Sequence, residues 1–285
     1  MKKIFLLPLL LGYAFAPAQI NADSVALLTV PWRVDTVAEG IVWREGSFAG
    51  SLFGSNQRII VLEMDARKMK ATFDVAASPD TLWLTSAFGH RHRAIAALNG
   101  TFFDVKKGGS VDFVKDDGRV VNENRLSGGQ RATHQKAAIV MQKRRLRIRK
   151  WNGKPGWERK LRQDDVMETG PLLLFEGQNQ PLDSTAFVNH RHPRTCVALT
   201  KEKVLWVTVD GRSQEANGVS LPELADVVRW LGARDAVNLD GGGSTTLWIE
   251  GQPDNGVVNY PSDNQRFDHA GERKVANVLL LVPGS

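Results

Sequence analysis

Short apolar runs alternate along the chain with polar or glycine-containing breaks, and this pattern predicts a protein built mainly from β-strands. Ten runs are rich in Val, Ile, Leu, Ala or Trp, and many end at a Gly, Asn or Asp that favours a turn. Several are apolar at consecutive positions, which indicates strands buried on both faces of a covered sheet. The predicted strands are 58–65, 93–100, 136–141, 145–151, 171–175, 195–200, 203–211, 235–241, 245–251 and 275–282.

Two segments have the spacing of helices instead. Ser220 lies three residues before Glu223, which is the pattern of a helix capping box, and apolar residues then recur at helical spacing until Gly232. A second helix is predicted over residues 78–89. These elements predict a mixed α/β or α+β fold with a large mixed β-sheet core, a few packed helices and a single catalytic-type domain over residues 55–285.

The N-terminus has the pattern of an export signal. Lys2 and Lys3 precede an apolar run that is short for a bilayer span, and an Ala-x-Ala sequence follows at 16–18. We therefore predict that residues 1–18 are removed and that the mature protein is exported, to the periplasm or the medium, with no membrane span left. Residues 19–54 are assigned to no element.

Composition and charge narrow the function classes only slightly. The chain of 285 residues is 42% hydrophobic and 24% charged, as in an ordinary globular protein. Removal of the two N-terminal lysines lowers the net charge from +6 to +4, which is too little for a dedicated nucleic-acid-binding protein. The single cysteine, Cys196, lies in an apolar strand, so we expect it in the core and not as a nucleophile.

The stretch NLDGGGSTT, residues 238–246, concentrates candidate chemistry at the end of a predicted strand. Three consecutive glycines cost about 1.5–3 kcal/mol relative to alanine, so the structure must need a backbone without side chains there. Their amides could form a nest for an anion, with the hydroxyls of Ser244, Thr245 and Thr246 at the rim and Asp240 beside it. A tight hairpin is the simpler alternative. A Walker phosphate loop is excluded because no lysine precedes Ser244.

Six motifs, in the same order along the chain, resemble those of the phosphodiester glycosidase family. The resemblance covers about residues 55–285, and it implies cleavage of the bond between a sugar anomeric carbon and a phosphate oxygen. The substrate would then be an anionic carbohydrate. The motifs are ALNGTFFD (97–104), TGPLLLFEG (169–177), HPRTCVAL (192–199), VTVDGRS (207–213), GVSLPELADVVRWLGARDAVNLDGGGST (218–245) and GERKVANVLLLV (271–282).

Residue chemistry and the resemblance together suggest roles. Asp240 is the first choice for nucleophile or base, because glycosyl transfer to water commonly uses carboxylates. Arg194 and Arg212, at predicted strand ends, suit bidentate contact with phosphate, and structural ion pairs are the alternative. For Arg273, beside Glu272, the two interpretations are balanced. The candidates for a second acid are Glu168, Glu272, Asp210 and Asp104.

The other predicted substrate contacts fall in the same motifs. Asn99 and Thr101 would bind sugar hydroxyls or cap the turn that holds them, and Asp104 and Asp210 have plain turn positions as their alternative. The full set of remaining predicted contacts is Asn99, Thr101, Asp104, His192, Thr195, Gly241, Gly242, Gly243, Ser244 and Thr245.

Two further patterns bear on cofactors and partners. His-Arg-His occurs at 90–92 and 190–192, and side chains two apart on a strand share a face. No third spaced ligand accompanies either pair, so we predict no zinc site and expect no cofactor, while an oxygen-ligated ion such as calcium stays open. The sequence KRRLRIRK at 143–150 predicts an edge strand with a basic face, and a track for an anionic polymer is the alternative.

The sequence therefore predicts an exported hydrolase that cleaves a glycosyl-1-phosphodiester, of the N-acetylglucosamine-1-phosphodiester kind, into a sugar and a phosphomonoester. Two alternatives stay open. One is a glycosidase for neutral glycosides or envelope polysaccharide, and the other is a non-catalytic module that binds envelope glycan. The expected partner is a carbohydrate and not a nucleic acid, and the sequence does not predict the oligomeric state.

Overall fold

The computed structural model describes residues 21–284, so the predicted export signal at 1–18 lies outside the described residues. This part of the chain forms four α-helices and seventeen β-strands. The helices are α1 (Ala22–Thr29), α2 (Thr85–Arg91), α3 (Ala186–Asn189) and α4 (Leu221–Trp230). The strands are β1 (Arg33–Ala38), β2 (Ile41–Leu52), β3 (Ser55–Asp65), β4 (Thr72–Ala77), β5 (Ala96–Asn99), β6 (Val114–Asp116), β7 (Arg119–Asn122), β8 (Ala137–Gln142), β9 (Arg145–Lys150), β10 (Asp165–Thr169), β11 (Leu172–Phe175), β12 (Gln178–Asn179), β13 (Arg194–Leu199), β14 (Lys203–Val209), β15 (Asp235–Asn238), β16 (Leu247–Ile249) and β17 (Asn277–Val282).

The strands form three sheets. The largest has eight strands in the order β1-β2-β3-β14-β13-β15-β11-β12. A five-stranded sheet has the order β7-β6-β10-β8-β9, and a four-stranded sheet has the order β16-β5-β17-β4. Every paired strand among residues 21–284 is antiparallel to its partner. The predicted fold class is thus confirmed in its α+β form, and the sheets do not mix parallel with antiparallel strands.

The sheets enclose the main core. Trp206 of the eight-stranded sheet, Ile139 of the five-stranded sheet and Leu279 of the four-stranded sheet all belong to one buried cluster. On its other face, the eight-stranded sheet packs against helices through a second cluster that includes Leu27 of α1 and Leu224 of α4. Apolar contacts on both faces of its central strands explain their continuous apolar runs.

The predicted strands are all present, and the helix predictions differ in accuracy. Helix α4 begins as predicted, because the Ser220 hydroxyl accepts from the Glu223 amide at 3.3 Å and the Glu223 carboxylate accepts from the Ser220 amide at 2.8 Å. The helix predicted over 78–89 was placed too early, since α2 begins only at Thr85. The preceding residue Trp83 instead pairs its backbone with Val275, at 2.9 and 2.7 Å, as a β-bridge.

Residues 19–54, which the sequence left unassigned, contain α1, β1 and β2. Strand β2 pairs with β3 along most of its length, so this segment extends the eight-stranded sheet at one edge. Leu27 of α1 is fully buried, and the Asp23 carboxylate accepts from the Phe53 amide at 2.6 Å. The segment is therefore integrated into the same fold as the motifs that follow it.

Two smaller predictions are confirmed. Cys196 is fully buried in the apolar cluster under the helices, and burial raises the pKa of its thiol. Strand β9 lies at the edge of its sheet, with Leu146 and Ile148 buried and the basic residues between them exposed. None of the helices within residues 21–284 has the length and apolar character needed to cross a membrane.

Candidate active site

Three adjacent strands bring the predicted site residues to one end of the eight-stranded sheet. Arg194 begins β13, Arg212 follows β14, and Asp240 follows β15. Because β13 is antiparallel to both neighbours, its start lies beside the ends of the other two strands. A cleft of about 530 Å³ opens at this end, and it is lined by Phe102, Ala186, Phe187, His190, His192, Arg194, Arg212, Asp240, Gly241, Gly242 and Arg273.

Asp240 is held in the cleft through its own backbone. Its carbonyl accepts from the Asn99 side-chain amide at 2.8 Å, and its amide donates to the Gly100 carbonyl at 3.1 Å. The Asn99 side-chain oxygen accepts from the Thr195 hydroxyl at 2.8 Å and from the Thr246 amide at 3.1 Å. Asn99 and Thr195 are both fully buried. Both side chains were among the predicted substrate contacts, but in the structure they hold the backbone of Asp240 and the strand end beside it, and neither lines the cleft.

The charge of Asp240 is tuned by opposing effects. Burial raises the pKa of its carboxyl group above the usual range of an aspartate. The hydroxyl of Ser244, the amide of Gly241 and the charge of Arg273 favour the ionised form, but they offset the burial only in part. A carboxylate with few compensating partners in a cleft is typical of a functional group.

The glycine loop differs from the predicted anion nest. Two of the three glycine amides are used inside the protein: Gly241 donates to the Asp240 carboxylate at 2.9 Å and Gly242 to the Pro193 carbonyl at 2.9 Å. The amides of Ser244 and Thr245 close a 3₁₀ turn over Gly242–Ser244. Ser244 and Thr245 are fully buried, so their hydroxyls are not at a rim. The amides of Gly241 and Gly242 are therefore not available to form the predicted anion nest.

The reason for three glycines is instead that other groups occupy the space of their side chains. A Cβ atom on Gly241 would lie 2.7 Å from the Pro193 carbonyl oxygen. One on Gly242 would lie 2.8 Å from the Arg212 guanidinium, and one on Gly243 would lie 2.6 Å from the Arg273 guanidinium. Gly242 also has a φ of +61°, which an L-residue adopts at a cost. The loop lets two guanidinium groups lie directly against the backbone.

Arg194 is a buried cation without a carboxylate partner among residues 21–284. Its side chain donates to the carbonyls of Val219 at 3.0 Å, Phe187 at 2.6 Å and His190 at 3.0 Å, and it lies 4.8 Å from the centre of the Phe187 ring. Burial, reinforced by the charge of Arg212, lowers the pKa of Arg194 to about 10. Neutral acceptors leave its positive charge uncompensated, so the cleft favours an anion.

The other two arginines of the cleft differ in their fixation. Arg273 is paired with Asp263, at 2.8 Å between Nε and the carboxylate, and not with its neighbour Glu272. Arg212 is exposed, and no acidic partner holds it in the described part of the chain. Its φ of +63° is unusual for a residue with a side chain and aims it over the glycine loop. Arg212 is thus free to bind a ligand.

Three candidates for the second acid lie in other environments. Glu168 is fully buried and paired with Arg131 at 2.6 Å, and burial raises its pKa to about 8. The Glu272 carboxylate accepts from the Ser86 amide at 3.0 Å in the first turn of α2. Asp104 accepts from the amides of two following residues at 3.0 Å each, as in its alternative interpretation of a loop position. None of them lines the cleft of Asp240.

Asp210, the fourth candidate, is a structural carboxyl group. It is fully buried, and one of its oxygens accepts from the Asn259 side chain at 2.9 Å and from the Tyr260 amide at 3.0 Å. The other oxygen has no hydrogen-bond partner. The Asp210 side chain thus ties the loop at 259–260 to the end of β14. Burial raises the pKa of Asp210 to about 7, so this carboxyl group is protonated at acidic pH.

We expect Asp210→Asn to keep turnover within about twofold and to flatten the pH dependence of stability. The folded protein retains the Asp210 proton up to about pH 7, whereas the unfolded chain loses it near pH 4. Asp210 therefore contributes its full stabilisation of the fold below about pH 4, the pKa in the unfolded chain. This stabilisation is lost as the pH rises through about 7, the pKa in the folded protein. Thermal unfolding at several pH values measures the difference between the two proteins, and an unchanged slope would contradict the assigned pKa.

The sequence analysis missed a carboxylate close to Asp240. Asp112 is fully buried, accepts from the Thr101 hydroxyl at 2.6 Å, and contributes to the raised pKa of Asp240 through its charge. The His134 ring lies 3.2 Å from Asp112 and packs on Phe102, which lines the cleft. Thr101 thus orients Asp112 instead of facing a sugar. Asp112 follows no predicted strand. The only sequence signal for it is its position shortly after the ALNGTFFD motif.

The two histidine pairs lie in different surroundings. His90 and His92 lie at the end of α2 and not on a strand, and His90 packs edge-on against Trp248. His190 and His192 both line the cleft, with ring centres 6.5 Å apart. Burial and the charges of Arg194 and Arg212 lower the pKa of His192, so they favour the neutral form of this ring.

The one group of side chains within residues 21–284 that has the spacing of a metal site lies elsewhere. Asp74, Asp116 and Asp165 approach one another within 4.8 Å on three neighbouring strands. Burial and, to a lesser extent, the charges of the neighbouring aspartates raise the pKa of Asp116 to about 6 and that of Asp165 to about 7.

A family model for phosphodiester glycosidase matches residues 92–282, which is about two thirds of the chain. The chain belongs to the phosphodiester glycosidase family. The match includes Asp240, the glycine loop and all three arginines of the cleft.

Individual relatives agree with this assignment. Over 107 residues the chain is 31% identical to mouse N-acetylglucosamine-1-phosphodiester alpha-N-acetylglucosaminidase and 29% identical to the bovine protein of that name. The aligned stretch is 35% of this chain but only 20% of the mouse protein and 19% of the bovine one.

Solved structures resemble the chain over most of its length. The catalytic domain of the zebrafish N-acetylglucosamine-1-phosphodiester alpha-N-acetylglucosaminidase superposes with a TM-score of 0.64 at 19% identity, over 96% of this chain and 97% of that one. A hypothetical protein from Synechocystis gives a TM-score of 0.65 at 16% identity, over 88% of this chain and 63% of that one. At these identities the likeness establishes the fold alone.

Proposed function

We propose that this phosphodiester glycosidase hydrolyses a glycosyl-1-phosphodiester between the sugar C1 and the phosphate oxygen. The observation that carries the proposal is that the Asp240 carboxylate shares one cleft with arginines whose charge no acidic side chain compensates. Arg194 is buried without an acidic partner, and Arg212 is exposed without one. A site for neutral glycosides would have no use for this excess of positive charge.

The arginines would bind the phosphate group. Arg212 can rotate toward the ligand, whereas Arg194 and Arg273 are fixed by the carbonyls and by Asp263. Fixed donors lose little entropy on binding, and a guanidinium pairs well with two phosphate oxygens. His192, whose pKa is lowered by the same cations, would contact the phosphate or sugar as a neutral ring.

Asp240 would act on the anomeric carbon. As the C1–O bond breaks, its electron pair leaves with the phosphate oxygen, and the arginines stabilise the resulting phosphomonoester. The Asp240 carboxylate stabilises the positive charge that develops on the sugar. A new bond forms at C1 to the oxygen of a water molecule, and that water releases one of its protons to the solvent. A phosphate leaving group needs little protonation, so one carboxylate with an anion clamp is sufficient for most of the rate.

The sugar proposed for the test is N-acetylglucosamine, since the mouse, bovine and zebrafish relatives are named for its 1-phosphodiester. Purified protein is assayed on an N-acetylglucosamine-1-phosphodiester and on a neutral aryl N-acetylglucosaminide. We expect sugar release from the diester alone. Faster turnover of the neutral compound would favour the alternative glycosidase, and binding of either without turnover would favour the glycan-binding module.

We further propose that the reaction needs no metal ion. Among the described residues, Asp240 is the only carboxylate that lines the cleft. The three arginines around it disfavour binding of a metal cation as well. Turnover of the diester should therefore be unchanged after dialysis against EDTA, measured against a mock-dialysed sample. Loss of turnover that calcium restores would overturn this expectation.

Two alanine substitutions in the glycine loop should have separate effects. In Gly241→Ala the new methyl group meets a backbone carbonyl that cannot yield, so the free energy of unfolding should fall by about 1–3 kcal/mol. In Gly243→Ala the new methyl group meets the ends of the paired Arg273 and Asp263 side chains, which can shift where a backbone carbonyl cannot. KM for the diester should therefore rise while the melting temperature changes little. Thermal unfolding and steady-state kinetics of both variants test this division. Equal behaviour of the two variants would contradict it.

We also propose that the protein acts outside the cytoplasm, on the strength of the export pattern in residues 1–18. Protein recovered from the cell envelope or medium should begin at Gln19 by mass spectrometry. Full-length chain confined to the cytoplasm would refute export.

A further inference from the structure

A second cavity lies next to the proposed active site. It has a volume of about 300 Å³, and we call it the Trp151 cavity after the aromatic side chain in its wall. Its polar and aromatic lining residues are Thr133, Lys136, Lys150, Trp151, Gln180 and Asp183.

Two chain segments connect the Trp151 cavity with residues that line the active-site cleft. Thr133 lines the cavity, and its neighbour His134 packs at 4.5 Å on Phe102 of the cleft. Asp183 lines the cavity, and the chain then enters α3, where Phe187 lines the cleft. The Thr133 hydroxyl donates to Asp183 at 2.7 Å and so joins the two segments. A ligand longer than one sugar phosphate could therefore extend across this wall.

The chemistry of the cavity suits an anionic sugar. The Trp151 ring is fixed by a hydrogen bond from its indole nitrogen to the Lys154 carbonyl at 3.1 Å and by Arg131, which lies 5.5 Å from the ring centre. Trp151 lines the cavity and is partly exposed, and a fixed indole at a cavity wall can contact a sugar ring at little entropic cost. Lys150 is held by Gln180 at 2.8 Å, and Lys136 is exposed. Both can pair with phosphate.

Positive charge continues beyond the cavity along β9. Arg145, Arg147 and Arg149 alternate with buried apolar residues, so they share one exposed face of the edge strand. Their spacing of two residues places their Cα atoms about 7 Å apart along the strand. No acidic side chain pairs with these three arginines among residues 21–284. An edge strand needs charge to prevent aggregation, but one or two lysines would serve that purpose.

We infer that the Trp151 cavity and the basic face of β9 bind the part of an anionic glycan that continues beyond the cleaved diester. The natural substrate is then a chain of sugars that carries repeated phosphate groups, and not an isolated sugar phosphodiester. This inference rests on the proposed function for the identity of the cleaved bond. The binding itself can be measured without turnover.

The first experiment compares substrates of two lengths. One is a methyl N-acetylglucosamine-1-phosphodiester, and the other is an oligomer of several N-acetylglucosamine units joined by 1-phosphodiester bonds. We expect Trp151→Ala to lower kcat/KM for the oligomer about 10-fold. For the methyl diester, kcat/KM should stay within about twofold of the wild-type value. Trp83→Ala is the matched control, since Trp83 is also partly exposed, lies 5.4 Å from an arginine and lines a different cavity.

The lysines give a second variant that does not depend on the packing of Trp151. We expect the double substitution Lys136→Glu and Lys150→Glu to lower kcat/KM for the oligomer and not for the methyl diester. This difference should become smaller as the salt concentration rises. Equal effects on both substrates, or no preference of the wild type for the oligomer, would overturn the inference.

Binding separates this inference from the proposed function. Calorimetric titration of the oligomer is carried out with Asp240→Asn and with that variant carrying Trp151→Ala. We expect at least about 10-fold weaker binding in the latter even if no diester is cleaved by the wild type. Absence of turnover with this difference intact would reject the hydrolase and keep the binding site. If inorganic polyphosphate binds as tightly as the oligomer and ignores Trp151, the surface is a general anion patch and the inference fails.

Discussion

Asp240→Asn should lower kcat on the N-acetylglucosamine-1-phosphodiester by about 10³-fold or more while leaving the fold and KM nearly unchanged. The amide has the shape of the carboxylate, and its oxygen can still accept from the Gly241 amide as the carboxylate does at 2.9 Å. What it lacks is the negative charge that stabilises the sugar cation as the C1–O bond breaks. The loss is expected in kcat because that cation exists only in the transition state.

Asp210→Asn is the matched control for this variant. It makes the same chemical change in a buried carboxyl group that faces the loop at 259–260 instead of the cleft, so its turnover should stay close to that of the wild type. Equal losses in both variants would point to damage to the fold, and a fully active Asp240→Asn would remove Asp240 from the mechanism. Circular dichroism and the melting temperature distinguish these outcomes.

The pH profile gives an independent measurement of the same group. Asp240 must be ionised to act, and burial raises its pKa. The activity should therefore fall as pH decreases through a value above the usual range of an aspartate, and this acidic limb should be absent from whatever residual activity Asp240→Asn retains.

Most of the sheet could be predicted from the sequence because its central strands are buried on both faces. Strands β13, β14 and β17 are continuous apolar runs, and burial of both faces leaves no other pattern. Strand β2 was missed because only alternate positions of it are buried, and polar residues such as Arg44 and Glu45 interrupt the run. Residues 78–84 resemble a helix start in composition, but Trp83 is committed to a bridge with Val275, and sequence spacing cannot reveal such a distant partner.

Site residues could be predicted from the sequence where they lie at the ends of predicted strands. They could not be predicted where their role depends on a partner that is distant in the sequence. Arg194, Arg212 and Asp240 could be placed together because each borders a predicted strand. The role of Glu168 depends on Arg131, which lies 37 residues away, and that of Glu272 on Ser86, which lies 186 residues away. Asp112 was missed because it lies on a loop without periodicity. The glycines were recognised as necessary, but the groups that require them belong to Arg212, Arg273 and Pro193, each remote in sequence.

The second prediction with a large effect concerns substrate choice. Arg212→Gln should lower kcat/KM for the phosphodiester by about 10–100-fold, since a hydrogen bond to a charged group contributes about 1.5–3 kcal/mol. Hydrolysis of any neutral N-acetylglucosaminide that the protein accepts should change by less than about twofold, because no phosphate is present for the guanidinium to bind. The variant should fold normally, since Arg212 is exposed and has no acidic partner within residues 21–284.

Arg93→Gln is a matched control for that result. Arg93 is also exposed and also has a positive φ, +51° against +63° for Arg212, but it lies in the loop after α2 and outside the cleft. Both substitutions thus place glutamine in the same strained backbone region, and any shared loss reports that strain. A loss specific to Arg212 and to the phosphodiester assigns its charge to the phosphate. Equal losses on the charged and the neutral substrate would instead mean that Arg212 shapes the cleft without reading the phosphate, and the anion clamp would then rest on Arg194 and Arg273.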